Sequence, residues 1–236
     1  HGRAPSGWLA DARRLEPGPI LYHWPGSLIQ MGYTNLDDFL TRAAARLDPP
    51  VGAMSLQEGG DMDFLTPEEV AIIRPAAVLI GIIPRKTGAT TLLTVRPTTM
   101  STHAGQVAFP GGKVDPIDVD EVAAALREAE EEVGVVPGDV DVIGKASPYV
   151  TGTRFRITPV VGVLPADFVA VPDPTEVADV FETPLDFLMK SANHQTGHAV
   201  YKGKARQYYE MPHNGYRIWG VTAGIIRRLY QTLYEG

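Results

Sequence analysis

The stretch from Asp118 to Gly134, DVDEVAAALREAEEEVG, is the strongest constraint that the sequence places on the fold. Asp118 and Glu121 match a capping box, which predicts a helix that begins near Val119. Gly134 suits the left-handed position that follows a helix, so the helix is predicted to end near Val133. Apolar residues recur between these ends at helical spacing and predict a face that packs on a core: Val122, Leu126, Ala129 and Val133.

Carboxylates are concentrated on this same helix. Glu131 and Glu132 follow Glu128 by three and four residues, which predicts that the three side chains share a face directed away from the core. Like charges at this spacing cost about 0.2–0.5 kcal/mol per pair, and Arg127 is the only basic residue in the helix. A bound cation would reverse this cost, and carboxylate oxygens are ligands that Mg²⁺ and Mn²⁺ prefer. A solvated acidic surface without a ligand is the alternative interpretation.

A glycine-rich loop, FPGGKVDP at 109–116, leads into the helix. Gly111 and Gly112 permit either a close approach of the backbone to a ligand or tight packing of the loop. Two adjacent glycines are weak evidence alone. Followed by a capped helix that carries REAEEEVG, they favour a ligand site over a solvated acidic surface.

The rest of the chain alternates between strand and helix patterns. The patterns predict strands at 76–83, 90–96, 106–109, 139–147 and 155–164, and a hairpin at 199–211 that turns at Gly203. They predict helices at 34–47, 184–193 and 222–234, and a helix start at 66–69. A strand meander with a few helices is typical of an α/β or α+β sandwich. We expect residues 1–65 to form an arm and a helix that pack on or lead into a main domain at 66–236.

Composition excludes several classes of function. The 236 residues carry a net charge of −7 and no cysteine, so the chain has no overall basic surface for nucleic acid, no disulfide and no thiolate ligand. The longest apolar run, at 76–84, is far shorter than the ~20 residues of a membrane span. We therefore expect a cytoplasmic protein without nucleic-acid or membrane partners. An anionic ligand would need local basic residues or a metal ion.

The glycine loop and the helix together resemble the Nudix hydrolases, whose box is G-x5-E-x7-R-E-U-x-E-E-x-G-U, where U is aliphatic. The second half of the box matches at Arg127, Glu128, Ala129, Glu131, Glu132, Gly134 and Val135. Gly112 and Arg127 are separated by one residue more than the box specifies, which we interpret as a loop expansion. The first box glutamate then falls near Asp118 or Val119.

The segment LLTVRPTTMSTHAGQVAFPGG at 92–112 resembles the signature that precedes the box in coenzyme A pyrophosphatases. Pro97 replaces a small residue of that signature, and Ser101 replaces its second basic residue. The matching positions are Leu92, Leu93, Thr94, Arg96, Gly105, Phe109, Pro110, Gly111 and Gly112. This resemblance implies a Nudix fold, a mixed β-sheet sandwiched between helices. It also implies metal-dependent hydrolysis of coenzyme A to 3′,5′-ADP and 4′-phosphopantetheine.

The resemblance also implies roles for individual residues. Glu128, Glu131 and Glu132 would bind Mg²⁺ or Mn²⁺ with the backbone carbonyl of Gly111 or Gly112, and Arg127 would orient one of these carboxylates. Nudix enzymes take their general base from the box or from a loop, and Glu176 is our loop candidate ahead of Asp173 and Asp179. Basic residues that are candidates for substrate contact are Arg96, His103, Lys113, Arg154 and Arg156.

Other functions remain open at this point. The departures at Pro97 and Ser101 keep ADP-ribose, a dinucleotide or a nucleoside triphosphate as alternative substrates. A Nudix domain that senses a nucleotide without cleaving it is a further alternative, although such domains usually lose box carboxylates. The sequence does not determine the oligomeric state, and a homodimer is one option.

Overall fold

The structure is a computed structural model that describes residues 36–98 and 105–236, all within one compact unit. Its α-helices are α1 (Leu36–Arg46), α2 (Pro67–Val70), α3 (Glu121–Val133), α4 (Leu185–Leu188) and α5 (Val221–Tyr230). Its strands are β1 (Gly59–Gly60), β2 (Arg74–Arg85), β3 (Gly88–Val95), β4 (Val107–Ala108), β5 (Gly111–Lys113), β6 (Asp141–Lys145), β7 (Tyr149–Val150), β8 (Phe155–Val163), β9 (Asp179–Pro184), β10 (Gln195–Tyr201), β11 (Lys204–His213) and β12 (Tyr216–Trp219). None of the described helices is long and apolar enough to cross a membrane.

Strand β2 is the centre of the larger sheet. Strand β8 lies parallel to β2 along one edge, with Ala76 opposite Ile157. The other edge of β2 pairs antiparallel with β5 near its start and with β3 near its end. Strands β10, β11 and β12 form a separate antiparallel sheet. The larger sheet therefore has mixed strand directions, as expected.

Helices cover both faces of β2. Ala77 and Leu79 pack in one buried cluster with the alanines of α3, and Ile80 and Ile82 pack in another with residues of α1 and α5, such as Phe39. Successive side chains of a strand point to opposite faces, so one apolar strand supplies both clusters. The expected sheet between helices is confirmed.

The boundaries of α3 differ in part from the expectation. The cap is Asp120, whose carboxylate accepts a hydrogen bond from the Ala123 N–H at 2.8 Å, so the start near Val119 with Asp118 as cap is wrong. The end is confirmed, because Gly134 adopts the left-handed conformation with φ of 72°. The apolar face is rotated from the expected one. Ala124 and Ala125 are fully buried with Ala129 and Val133, whereas Val122 and Leu126 lie at the rim of the cluster.

Several other elements follow the sequence patterns. The hairpin of β10 and β11 turns at Lys202 and Gly203, and Thr66 and Glu69 form a reciprocal capping box at the start of α2. The helix expected at 184–193 is wrong as one element. It ends at Leu188 and resumes as a 3-10 turn at Ser191–Asn193, because Lys190 between them is extended.

Candidate active site

A cleft of about 600 Å³ opens beside β2. Strands β5 and β8 flank β2 on opposite edges, so residues 112–113 and 156–157 are separated by two strand spacings, about 10 Å. One set of lining residues is called the carboxylate wall, and it consists of Gly111, Gly112, Glu128, Glu132 and Glu176, while the exposed Asp115 also lines the cleft. The other side is called the neutral wall, and it consists of Thr151, Thr153, Phe155, Ile157, Val221, Thr222 and Ile225.

Glu132 is the most buried carboxylate of the cleft, with 5% of its surface exposed. One carboxylate oxygen accepts a hydrogen bond from the Gly111 N–H at 3.2 Å. Burial raises the pKa of Glu132 to about 7. The Gly111 N–H and the charge of Arg96 oppose this rise, and the charges of Glu128 and Glu176 add to it. The fold therefore holds a carboxylate away from water, next to two further carboxylates.

Glu128 lies one helical turn before Glu132, and its carboxylate rests against the backbone of Gly112. A Cβ atom at Gly112 would lie 2.3 Å from Glu128 Oε2, so no larger residue fits there without moving this side chain. Burial raises the pKa of Glu128, Arg127 opposes the rise, and Glu131 and Glu176 add to it. Glycine at 112 thus allows the Glu128 carboxylate to lie close to the main chain of β5.

Glu131 does not join this pair, which corrects the expectation of three carboxylates on one outward face. Its side chain is 52% exposed and pairs with Arg127 at 2.9 Å, and it does not line the cleft. At roughly 100° per residue, Glu128 and Glu132 differ by about 40° around the helix, whereas Glu131 is about 100° from Glu132. Within residues 36–98 and 105–236, no three acidic or histidine side chains are gathered tightly enough to hold a metal ion as they stand.

Arg127 links the helix to the loop before it. Its guanidinium donates two hydrogen bonds to the Asp118 carboxylate, at 2.9 and 3.1 Å, and one to Glu128 at 3.0 Å. It also reaches the carbonyl of Lys113 at 3.2 Å. The expected orienting contact between Arg127 and a carboxylate of the cleft is therefore present.

The comparisons with known proteins identify the family. The family model described as NUDIX domain matches residues 73–202, which is more than half of the chain. The chain belongs to the Nudix family.

Curated relatives support the same assignment. The chain is 44% identical to "Uncharacterized Nudix hydrolase NudL" of Cronobacter sakazakii over 156 residues, which cover 66% of this chain and 81% of the relative. It is 40% identical to NudL of Escherichia coli strain K12 over 194 residues, or 82% of this chain and 92% of the relative. A solved structure, the Nudix hydrolase RenU from M. Smegmatis, is 26% identical, covers 47% of this chain and 70% of its own, and has a TM-score of 0.41.

Nudix hydrolases cleave pyrophosphate bonds in nucleotide derivatives and generally need divalent metal ions. This chain is accordingly a Nudix pyrophosphatase.

Asp118 is the residue of the Nudix box whose role the sequence analysis missed. It occupies the place of the first box acid, and only 3% of its side chain is exposed. The Arg127 guanidinium holds the pKa of Asp118 below its ordinary value, and a hydrogen bond from the Asp115 N–H acts in the same direction. The spacing from Gly112 places the first box acid near Asp118, but the cap of the helix is Asp120, so Asp118 is free to pair with Arg127.

Glu176, the candidate base, lines the cleft, and its charge raises the pKa of both Glu128 and Glu132. The rival acids are engaged elsewhere. Asp173 accepts hydrogen bonds from the backbone and hydroxyl of Thr175 at 2.7 Å, and Asp179 accepts one from the Tyr216 hydroxyl at 2.6 Å. The placement favours Glu176 among the three.

The basic candidates are divided between the cleft and other surfaces. Arg96 and Lys113 line the cleft, and the Nε of Arg96 is buried without a hydrogen-bond partner among the residues that the structure describes. Arg156 pairs with Glu58 at 3.0 Å, and neither Arg156 nor Arg154 lines the cleft. His103 lies outside the described residues. Contact of Arg154, Arg156 and His103 with substrate stays a prediction, and Arg96 has the stronger structural support.

The carboxylate wall fits a hard divalent cation. It offers oxygen donors from Glu128 and Glu132, and Gly112 leaves its own backbone open beside Glu128. Glu132 is buried and, in the part of the chain that the structure describes, forms no ion pair. A cation would compensate the charge that its environment now disfavours.

Proposed function

We propose that this Nudix enzyme hydrolyses the pyrophosphate bond of coenzyme A or its derivatives, giving 3′,5′-ADP and 4′-phosphopantetheine. The observation that carries the proposal is the pair of Glu128 and Glu132 in one cleft with Arg96 and the glycine loop. The substrate assignment is supported by the segment at 92–112, which resembles the coenzyme A pyrophosphatase signature. The apolar part of the neutral wall would suit an uncharged arm beyond the diphosphate.

Residues in and beside the carboxylate wall have proposed roles. Glu128, Glu132 and the backbone carbonyl of Gly112 would hold Mg²⁺ or Mn²⁺. The ion, when bound, would neutralise phosphoryl charge and favour ionisation of water. Arg127 keeps Glu128 in position, and a metal role for Glu131 stays a prediction. Arg96 would donate hydrogen bonds to a phosphoryl oxygen, since its Nε is unpartnered within the described residues.

Glu176 would act as the general base. It would accept a proton from the water that attacks phosphorus, while the bond between that phosphorus and the bridging oxygen breaks. One phosphate leaves with the nucleotide and the other leaves with the second product. The reaction consumes one water and needs no other co-reactant.

A panel of diphosphates tests the proposal. Coenzyme A, ADP-ribose, a dinucleotide and nucleoside triphosphates would be incubated with the protein in Mg²⁺, in Mn²⁺ and in a chelator, and the products identified by mass. We expect metal-dependent cleavage of coenzyme A to the two named products. If coenzyme A stays intact while ADP-ribose is cleaved, the substrate assignment is wrong. If no diphosphate is cleaved, the nucleotide-sensing alternative is favoured.

Three further expectations stay predictions. They are the cytoplasmic location, a homodimer, and the division of the chain at residue 65. Light scattering of the purified protein would measure the oligomeric state directly.

A further inference from the structure

The main chain of the neutral wall is hydrogen-bonded at Gly152 on the side that faces away from the cleft. The neighbours Thr151 and Thr153 line the cleft, whereas the polar groups of Gly152 are bound outside it. The Gly152 N–H donates to Asp61 Oδ2 at 2.9 Å, and its carbonyl accepts a hydrogen bond from the Tyr201 hydroxyl at 3.1 Å. Both partners come from segments distant in sequence, so the wall depends on how those segments are placed.

Asp61 connects three parts of the molecule through one buried residue, 5% exposed. Its N–H donates to the Val150 carbonyl at 2.8 Å, and its carboxylate accepts the Gly152 N–H. The same carboxylate accepts two hydrogen bonds from Arg206 of β11, from Nε at 2.9 Å and from Nη2 at 2.7 Å. A bidentate arginine–carboxylate pair fixes direction as well as distance. The small sheet is thereby fastened to the turn that carries Thr151 and Thr153.

The packing around this contact leaves little room for the turn to move. A Cβ atom at Gly152 would lie 2.7 Å from the Tyr201 hydroxyl, and one at Gly60 would lie 2.2 Å from the Val150 carbonyl. Arg154 closes the turn with φ of 65°, and its N–H donates to the Thr151 carbonyl at 3.0 Å. The position of the two threonines is therefore set by backbone contacts on their far side.

We propose that Asp61 and Arg206 are positioning residues for substrate binding. They fix the main chain at Gly152, so that Thr151 and Thr153 contact the part of the substrate beyond the diphosphate. Neither Asp61 nor Arg206 lines the cleft itself. This inference rests on the proposed function, because it requires a nucleotide diphosphate that reaches the neutral wall. The carboxylate wall lies across β2, so loosening Gly152 affects KM and leaves kcat nearly unchanged.

The variant Asp61→Asn keeps the size of the side chain and removes its charge. The variant Arg206→Lys keeps the positive charge and removes the bidentate hydrogen bond to Asp61. Glu69→Gln is the matched control. Glu69 pairs with Lys202 of the same hairpin at 2.8 Å, and among the described residues it interacts with the turn only through the charge of Arg154, without a hydrogen bond. Steady-state kinetics with coenzyme A and Mg²⁺ would give kcat and KM. Hydrogen–deuterium exchange of the unliganded protein would compare residues 149–155 with α3.

We expect Asp61→Asn to raise KM about tenfold, with kcat within about twofold, a difference of roughly 1.4 kcal/mol in binding. Arg206→Lys should change KM in the same direction, which also provides a test if Asp61→Asn does not fold. Exchange should become faster in residues 149–155 and stay unchanged in α3, and Glu69→Gln should match the wild type. An unchanged KM, a fall in kcat alone, or an equal effect of Glu69→Gln would overturn the inference.

Failure of the proposed function would give a different result. The wild type would then leave coenzyme A intact, and the same kinetics would be measured on whichever diphosphate of the panel it cleaves. If it cleaves none, hydrogen–deuterium exchange alone tests whether Asp61 fixes the main chain at residues 149–155. Slower or unchanged exchange at 149–155 in Asp61→Asn would then refute it.

Discussion

The two walls of the cleft are assembled from different distances along the chain. The carboxylate wall draws four of its five residues from 111–132, and its contacts are local: Arg127 binds Asp118 nine residues away, and Gly111 binds Glu132 across 21 residues. The neutral wall depends on Asp61 and Arg206, which are 145 residues apart. The proposed metal ligands thus come from one short segment, whereas the position of the turn on the opposite side depends on contacts between distant segments. Substitutions on the two walls should consequently alter different kinetic constants.

The largest effect is expected at Glu132. Glu132→Gln removes a carboxylate from the proposed metal site and should lower kcat about 10³-fold, equivalent to about 4 kcal/mol, with little change in melting temperature. Glu131→Gln should cost less than about tenfold, because Glu131 faces solvent. Kinetics at saturating Mg²⁺ would compare both variants with Glu130→Gln, which is a control at an exposed position of the same helix. Equal losses in Glu131→Gln and Glu132→Gln would show that Glu131 contributes to catalysis as much as Glu132 does.

The two adjacent glycines separate catalysis from folding. Gly112→Ala should lower kcat about 100-fold, since the new Cβ displaces the Glu128 carboxylate, which can swing away without unfolding the chain. Gly111→Ala should instead destabilise the protein by about 1–3 kcal/mol, because Gly111 has φ of 151° and its Cβ would meet the Ala77 carbonyl at 2.3 Å. Thermal melting and kinetics on both variants would check this. The opposite ranking in stability would contradict it.

The same contrast explains how much could be predicted from the sequence. The box helix and the strands β2 and β3 depend on local periodicity, and these predictions are confirmed at the level of elements. The segment expected as a glycine-rich loop is wrong in part, because Gly111–Lys113 forms strand β5 and pairs with β2. The burial of Glu132 could not be predicted, since the helix starts at Glu121 and packs through Ala124 and Ala125 rather than through Val122 and Leu126. The contact between Asp61 and Arg206 was also missed, since a single acid and a single base so far apart leave no pattern.

Arg127 should have an intermediate effect on the carboxylate wall. Arg127→Lys removes the fork that holds Asp118 and Glu128 together and should lower kcat about 10–100-fold. Arg217→Lys is the matched control, because Arg217 forms a similar pair with Glu210 on the exposed small sheet. In a titration of kcat against Mg²⁺, Arg127→Lys should need a higher Mg²⁺ concentration than the wild type to reach half of its maximal kcat. Arg217→Lys should need the same concentration as the wild type. Full activity in that variant would mean that Glu128 needs no orienting partner.

Acid stability provides a smaller effect on the same wall. Arg127 lowers the pKa of Asp118 in the folded protein. The contact therefore contributes its full stabilisation above the pKa of an unfolded aspartate, about 3.9, and this stabilisation is lost as the pH falls through the lower pKa of the folded state. Asp118→Asn should lower the free energy of unfolding by about 1–3 kcal/mol at pH 7, and each kcal/mol corresponds to roughly 2–4 °C of melting temperature. The difference from the wild type should shrink below about pH 4. Asp115→Asn is the control, because Asp115 is 56% exposed and 3.8 Å from Arg127. A difference that does not vary with pH would contradict the ion pair.

The smallest effect is expected on the neutral wall. Thr153→Val keeps the shape of the side chain and removes a hydroxyl that lies 2.9 Å from that of Thr151. The Thr151 hydroxyl keeps its bond to the Phe155 N–H, so the turn should persist. We expect KM to rise about threefold with kcat unchanged, since one neutral hydrogen bond contributes about 0.5–1.5 kcal/mol. Thr196→Val, an exposed threonine of β10, is the control. A fall in kcat instead of a rise in KM would show that the neutral wall takes part in the chemistry, and the division between the two walls would fail.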